Sequence, residues 1–355
     1  MSTSDLADRL HRPGRQLLAA SLLAALVATG CGQQSMLATS PAAPAGPQNA
    51  QTAVSLLHDA GEAPITGFIQ GAQRSLDCEL YMVTDRDLAD ALGQAAGRSV
   101  RVRVILEPKA GSTQLVQGKR GVDVVPPPQG VALDHTKSCV RDAGTASAEV
   151  LVGTANWSRS AVEKNADLVA TLPGADPAAQ QVAATIEADV TGQPVPSVPG
   201  TLSGGDEAVI SPVNARALLS AFAAQPGDRL LVTSEELRDT QLLAALTGAG
   251  VEKRVEVAAP SSERTPAGAH RCSSNLYMHA KVMVLWRQGQ PAAAFLGSEN
   301  LSTASLDRNR EIGVIGGPSF ASAVWRALQP ELDCDGSTAG EPAQRSPRPR
   351  ASEGR

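Results

Sequence analysis

Two blocks of the sequence place a lysine two residues after a histidine, as His135-Thr-Lys137 and His279-Ala-Lys281. Histidine is the side chain best suited to nucleophilic or acid–base chemistry near neutral pH. The lysine adds a fixed positive charge, which suits a tetrahedral oxyanion such as a phosphate diester. Two blocks in one cleft would allow one imidazole to attack phosphorus while the other protonates the leaving alcohol.

The same residue types follow each block at the same distances. A Gly-[Ser/Thr]-x-Asn segment starts 18 residues after each histidine, and an acidic residue lies 32 residues after it, with a constant offset of 144. The matching residues are Thr154, Asn156 and Asp167 in the first half, and Ser298, Asn300 and Glu311 in the second. Chance predicts roughly 0.08 His-x-Lys pairs in this composition, so the spacing indicates an internal repeat.

The chemistry of these residue types gives each a use beside a phosphate. The amides and hydroxyls at the Gly-[Ser/Thr]-x-Asn turn offer neutral hydrogen-bond donors to an oxyanion. A carboxylate can hold one imidazole nitrogen and so fix which nitrogen carries the proton.

Strands and helices alternate upstream of both blocks. Strands are predicted at 74–81, 101–106 and 150–152 in the first half, and at 228–233, 255–259 and 294–296 in the second. Helical stretches end near Ala95 and Thr247. This alternation predicts an α/β fold of two similar lobes, each a mostly parallel or mixed sheet flanked by helices, with the active site between the lobes.

The N-terminus has the features of an export signal. Three arginines precede an apolar stretch at 17–27, and small residues then lead to Cys31. This pattern is typical of a secretory signal and resembles a bacterial lipobox. We therefore expect a signal peptide at 1–30, lipidation of Cys31 and an extracytoplasmic, membrane-anchored bacterial lipoprotein. The alternative is a buried helix with an incidental cysteine.

The remaining chain divides at proline-rich and polar segments. A Pro/Ala-rich tether is expected at 31–50, a first lobe at 51–190, a linker at 191–200, a second lobe at 201–334 and a disordered tail at 335–355. Both motifs lie in one chain, so a monomer can complete the site.

Four cysteines remain after lipidation: Cys78, Cys139, Cys272 and Cys334. An even number in an oxidising compartment favours two disulfides. Three pairings are possible, and the sequence does not choose among them. Buried thiols are the alternative, and the absence of Cys-x-x-Cys spacing argues against a metal site.

The segment from His135 to Asp142 matches the pattern H-x-K-x-x-x-x-D and resembles the signature of the phospholipase D superfamily. The resemblance covers about residues 51–333. It implies a two-lobed α/β fold and transfer of phosphatidyl or phosphodiester groups through a covalent phosphohistidine, with no cofactor and no metal.

The resemblance also implies residue roles. His135 would be the nucleophile and His279 the general acid and base. The other implied roles are phosphate binding by Lys137, Lys281, Asn156 and Asn300 with Thr154 and Ser298 alongside, imidazole orientation by Asp167 and Glu311, and structural support of the catalytic motif by Asp142. Trp286 stands where a second Asp is expected, so the second motif is incomplete and reduced activity is an open alternative.

Three functions remain open. A membrane-tethered phospholipase D or phosphatidyl transferase would find its substrate in the bilayer that anchors it. A nuclease or other phosphodiesterase is less favoured, because the net charge of −5 becomes −6 once three arginines and two aspartates leave with the signal. Aromatic residues, at 3%, also offer few base-stacking platforms. A catalytically degenerate phosphate-binding protein is the third possibility.

Overall fold

Each half of the chain folds into a seven-stranded mixed sheet flanked by helices. The structure is a computed structural model that describes residues 52–248 and 252–335, and both lobes belong to one compact unit. The predicted signal peptide, Cys31, the tether at 31–50 and all of the tail beyond Asp335 lie outside the described residues.

The first lobe contains eight strands and six α-helices, with a short 3-10 helix at Pro108–Ala110. In chain order these are β1 (Ala53–Leu56), α1 (Leu57–Ala60), α2 (Ala63–Gly71), β2 (Ser75–Leu80), α3 (Arg86–Gly97), β3 (Arg101–Leu106), α4 (Thr113–Gln117), β4 (Val122–Val125), β5 (Lys137–Arg141), β6 (Glu149–Gly153), α5 (Arg159–Glu163), β7 (Asn165–Ala166), β8 (Leu168–Pro173) and α6 (Pro177–Thr191).

The second lobe, as far as the structure describes it, repeats this succession and ends with a 3-10 helix at Gln329–Glu331 and a short strand. Its elements are β9 (Glu207–Ser211), α7 (Ala215–Ala224), β10 (Arg229–Thr233), α8 (Thr240–Thr247), β11 (Arg254–Ala258), β12 (His270–Arg271), β13 (Ser273–Ser274), β14 (Tyr277–Met278), β15 (Lys281–Arg287), β16 (Gln290–Gly297), α9 (Thr303–Asp307), β17 (Glu311–Gly316), α10 (Pro318–Leu328) and β18 (Leu332–Asp333).

The two sheets have the same strand order. The first runs β1-β8-β6-β5-β2-β3-β4, and the second, read from its other edge, runs β9-β17-β16-β15-β10-β11-β12. Only the β2-β3-β4 and β10-β11-β12 parts are parallel, and the other pairs are antiparallel. The sheets are therefore mixed, which is one of the two predicted forms. Hairpins rather than helical crossovers join β5 to β6 and β15 to β16.

Strand and helix ends follow ordinary sequence signals. Every position of β2 is buried, including the polar residues Ser75, Asp77 and Glu79 that alternate with its apolar ones. Helix α3 begins after Asp85, whose carboxylate accepts hydrogen bonds from the backbone N–H groups of Asp87 and Leu88. The predicted strands therefore form. Their ends are shifted by no more than one residue, except that β16 begins four residues before its predicted start.

One hydrophobic core is common to both lobes. It contains Val150 and Val152 from the first sheet and Leu296 and Val314 from the second. The apolar faces of α6 and α10 belong to the same core, so these two helices pack between the sheets. Separate cores lie on the outer side of each sheet, under α2 and α3 in one lobe and under α7 and α8 in the other. Burial of this shared core holds the lobes as one body.

Both disulfides expected from the cysteine count form. Cys78 bonds to Cys139 across the neighbouring strands β2 and β5, and Cys272 bonds to Cys334 in the second lobe. Each bridge stays within one lobe. Across residues 52–248 and 252–335, no helix combines the length and the apolar character of a membrane span.

Candidate active site

His135 and His279 lie immediately before β5 and β15, at the junction of the lobes. The backbone N–H of His135 donates to the carbonyl of Arg310 in the second lobe, at 2.9 Å. Beside His279, strand β14 pairs in parallel with β7 of the first lobe, and Ala280 N–H donates to the carbonyl of Ala166. Backbone hydrogen bonds between the lobes therefore fix the position of both imidazoles.

Each imidazole is held by a carboxylate from the opposite lobe. His135 Nδ1 lies 2.8 Å from Glu311 Oε2, and His279 Nδ1 lies 2.7 Å from Asp167 Oδ1. Both acids were predicted to orient imidazoles, and the structure assigns each acid to the histidine of the other half. The interlobe strand contacts exchange the partners, because each histidine pairs with the backbone beside the other lobe's acid.

A second ring of side chains positions the two carboxylates. Thr154 Oγ1 and Asn165 Nδ2 donate to Asp167, while Ser305 Oγ and Asn309 Nδ2 donate to Glu311. These donors occupy carboxylate oxygens and so restrict the direction from which each acid meets its imidazole. The asparagines Asn165 and Asn309 precede the acids by two residues and repeat at the same offset of 144.

Thr154 and Ser298 were predicted to lie beside the phosphate, but the structure places them elsewhere. Both are fully buried. The Thr154 hydroxyl donates to Asp167, and the Ser298 hydroxyl accepts from the backbone N–H of Ile312. The structure therefore places both hydroxyls behind the imidazole–carboxylate pairs rather than on the cleft surface.

The two motif lysines lie under the imidazoles. Lys137 Nζ donates to the carbonyl of His135, and Lys281 Nζ donates to the carbonyl of His279, each at 2.6 Å. Both side chains are almost completely buried, and burial lowers the pKa of Lys137 to about 7 and also lowers the pKa of Lys281. Two ammonium groups held this way favour a ligand that brings negative charge to them.

Asn156 and Asn300 follow β6 and β16 at the turns that the sequence predicted. The side-chain oxygen of Asn300, Oδ1, accepts hydrogen bonds from the backbone N–H of Glu236 and the hydroxyl of Ser234. Its oxygen is thus engaged by protein, which leaves the amide N–H₂ as the group available to an oxyanion. Asn156 is half-buried at the matching position.

One repeated position near the two histidines holds different residue types. In each lobe it follows the residue that lies opposite the motif lysine across the sheet. It is Tyr81 after β2 and Glu235 after β10. The Tyr81 ring packs edge-on against His135, with centroids 4.7 Å apart. Glu235 Oε2 lies 3.3 Å from His279 Nε2. Sequence analysis missed both residues because their types do not repeat, although the alignment of the two strands could have located the position.

Burial and charge set the protonation of His135 and of the two carboxylates. Burial lowers the pKa of His135 to about 4, despite the opposing attraction of Glu311. Burial would raise the pKa values of Glu311 and Asp167, but their histidine partners lower both. A neutral His135 beside an ionised Glu311 must carry its proton on Nδ1, so its Nε2 lone pair is free to attack.

Asp142 follows β5 at the end opposite Lys137, away from the two histidines. Its carboxylate accepts hydrogen bonds from the backbone N–H groups of Gln73, Arg74 and Ser75. The corresponding Trp286 packs edge-on against Trp325 and under the guanidinium of Arg229. Trp286 therefore replaces a structural contact and removes no group from the site.

Two groups of acidic or cysteine side chains within the described residues have ligand-like spacing. One is Glu256 with Cys272 and Cys334, whose sulfurs already bond to each other. The other is Glu62 with Asp85 and Asp87, where Asp85 caps α3. Neither group includes His135 or His279.

Residues 65–190 match the family model described as "Cardiolipin synthase, PLD-like domain". No curated protein matches the chain in sequence. Polyphosphate kinase from Porphyromonas gingivalis superposes on 79% of this chain at a TM-score of 0.62 and 15% identity, and this chain spans only 46% of it. Phosphatidylserine synthase from Haemophilus influenzae Rd KW20 superposes on 81% of this chain and 88% of its own, at a TM-score of 0.57 and 14% identity.

These solved structures share the fold of the chain. At such low sequence identity, the likeness shows nothing beyond the fold. The family model covers most of the first lobe, and the second lobe repeats the motif that lies within that match. Residues 65–190 are therefore similar to a phospholipase D-like domain, and the fold of the chain agrees with that similarity.

Proposed function

We propose that the chain is a phospholipase D-like phosphodiesterase that cleaves or transfers phosphatidyl groups through a phosphohistidine intermediate. The observation that carries this proposal is the pair of imidazoles, each with Nδ1 held by a carboxylate of the opposite lobe and each above a buried lysine. This arrangement supplies a nucleophile, a proton donor and positive charge for a phosphodiester in one place.

In the first step, His135 Nε2 attacks phosphorus and forms a P–N bond. The P–O bond to the leaving alcohol breaks, and the leaving oxygen takes a proton from His279 Nε2. Lys137 and Lys281 balance the negative charge on the non-bridging oxygens, and the Asn156 and Asn300 amides donate to them. Glu311 stabilises the positive charge that develops on His135.

In the second step, water or an acceptor alcohol attacks the phosphohistidine. The attacking oxygen gives its proton to His279, the P–N bond breaks, and His135 is regenerated. Attack by water yields phosphatidic acid, whereas attack by an alcohol yields a new phosphatidyl ester. The same side chains therefore serve hydrolysis and transfer.

We place the enzyme outside the cytoplasm, tethered through lipidated Cys31 to a phospholipid membrane that is also its substrate. The apolar stretch at 17–27 and the residues before Cys31 support this location, and the two disulfides agree with an oxidising compartment. The family model carries the name of a phospholipid synthase, which supports a lipid substrate.

Full-length protein in neutral detergent, incubated with phospholipid and ethanol in the presence of EDTA, tests this proposal. We expect phosphatidic acid and phosphatidylethanol, and neither product with His135→Ala. The ratio of the two products separates hydrolysis from transfer. Absence of both products from every phospholipid class would contradict the proposal. Activity on single-stranded DNA would then favour a nuclease, and inactivity on both would favour a degenerate phosphate-binding protein.

A further inference from the structure

Glu235 brings a carboxylate to the one atom of His279 that a substrate can use. His279 Nδ1 is engaged by Asp167, so only Nε2 faces a substrate. Glu235 Oε2 lies 3.3 Å from this Nε2 and 3.6 Å from Lys281 Nζ. The Glu235 side chain is 31% exposed, so its carboxylate belongs to the wall of the cleft rather than to the core.

The other histidine has no such neighbour. Among the contacts of the described residues, His135 Nε2 has no hydrogen bond, and its nearest ring is that of Tyr81. An imidazole with a free Nε2 lone pair is suited to attack phosphorus, whereas an imidazole with a carboxylate beside each ring nitrogen is suited to donate hydrogen bonds. The leaving oxygen must therefore meet His279, on the Glu235 side of the cleft.

Glu235 is ionised and anchored in this place. Its other oxygen accepts a hydrogen bond from the Tyr277 hydroxyl at 3.2 Å. Burial would raise the pKa of Glu235, but His279 and Lys281 lower it below its ordinary value. An oxygen that takes a proton from His279 Nε2 must come within contact distance of this negative charge.

We propose that Glu235 determines specificity by the charge of the leaving group. It favours leaving alcohols that carry a cation or a hydrogen-bond donor near the ester oxygen, such as an amino alcohol, and it disfavours those that carry a second phosphate. The reason is Coulombic, because a second anion beside a partly buried carboxylate is repelled while an ammonium is attracted. This inference rests on the proposed function and names the substrate class of the same site.

Three lipids in neutral-detergent micelles at equal mole fraction test the inference, because their leaving groups differ in charge. Phosphatidylcholine releases a cation, phosphatidylglycerol a neutral alcohol and cardiolipin an anionic lipid. For the full chain we expect kcat/KM to fall in that order. With Glu235→Gln, the ratio of phosphatidylcholine to cardiolipin should fall at least tenfold, mainly because cardiolipin cleavage rises. Glu235→Asp should retain the order.

Glu187→Gln is the matched control. Glu187 lies on α6, its side chain is 54% exposed, and its carboxylate pairs with Arg103 rather than with His279. This variant should leave all three rates unchanged. An unchanged ratio in Glu235→Gln, or an equal change in all three rates, would overturn the inference while the proposed function stands. A chain that cleaves none of the three lipids would overturn the proposed function and the inference with it.

Discussion

His135 and His279 occupy the same position of a repeated fold, yet their Nε2 atoms have different neighbours. The Tyr81 ring packs against His135, and the Glu235 carboxylate contacts His279. The Nδ1 sides, by contrast, are alike, since each is held by a carboxylate of the opposite lobe. The repeat therefore preserves what orients the imidazoles, and the difference lies in what faces the substrate. A duplicated site can divide two roles between its copies through a single unmatched position.

Removal of either histidine should cause the largest loss of turnover. His135→Ala removes the attacking atom, so turnover of every phosphodiester should fall to background. His279→Ala removes the proton donor, which contributes about 10²–10⁴-fold. That loss should appear with phosphatidylcholine but not in the first turnover of bis-p-nitrophenyl phosphate, because nitrophenolate leaves without a proton. Pre-steady-state release of nitrophenol measures this. A burst in His135→Ala, or none in His279→Ala, would contradict the assignment.

Substitution of the carboxylates that orient the imidazoles from the opposite lobe should give the next largest loss of activity. Glu311→Gln should lower kcat by roughly 10³-fold on both substrates, since it acts on His135 even though it lies in the second lobe. Asp167→Asn should reproduce the His279 pattern and spare the nitrophenol burst. Single-turnover kinetics of the two variants would separate them. If each variant instead resembled the histidine of its own lobe, the interlobe pairing would be wrong.

Asp142 and Trp286 differ at another repeated position, and here we expect an effect on stability alone. Asp142→Asn weakens the hydrogen bonds to the backbone at 73–75 and should reduce the free energy of unfolding by about 2 kcal/mol. Asparagine tolerates the positive φ of 52° at this residue. Urea unfolding gives the stability, and kcat of the folded variant should match that of the parent. A large loss of kcat at unchanged stability would place Asp142 in the catalytic machinery.

The dependence of kcat/KM on pH reports the protonation of His135 and Lys137. His135 must be neutral to attack, and its pKa is about 4, so kcat/KM should fall about tenfold per pH unit below pH 4. Lys137 must be charged to bind phosphate, and its pKa is about 7, so kcat/KM should fall as the pH rises through 7. A profile of kcat/KM from pH 3 to 9 measures both limbs. An acid limb near 6.5, the ordinary histidine value, would contradict a buried neutral His135.

The repeated blocks made the fold and most of the site predictable from the sequence. Recurring apolar residues located β2, β3, β10 and β11, and the constant offset of 144 identified both imidazoles, both lysines and both acids. These features are local or periodic, so they survive without knowledge of the tertiary structure. The cysteine count likewise indicated two disulfides, although only the structure selects the pairing.

The interlobe contacts were not predictable in the same way. Spacing along the chain does not reveal that β7 pairs with β14, and this pairing decides which acid meets which histidine. Thr154 and Ser298 had the residue types of phosphate ligands, but their burial depends on the strands packed over them. Glu235 has no repeated counterpart of its own type, since Tyr81 stands in its place. A search for repeats detects what two lobes share and passes over the residue that distinguishes them.

In the proposed reaction His135 forms the covalent intermediate while His279 transfers protons. Peptide mapping of the His279→Ala chain tests this most directly, after a burst with bis-p-nitrophenyl phosphate and an alkaline quench, which preserves phosphohistidine. We expect one nitrophenyl-phosphoryl adduct on the peptide that contains His135, and no adduct in the His135→Ala, His279→Ala double variant. An adduct on any other residue, or one that persists in the double variant, would contradict it.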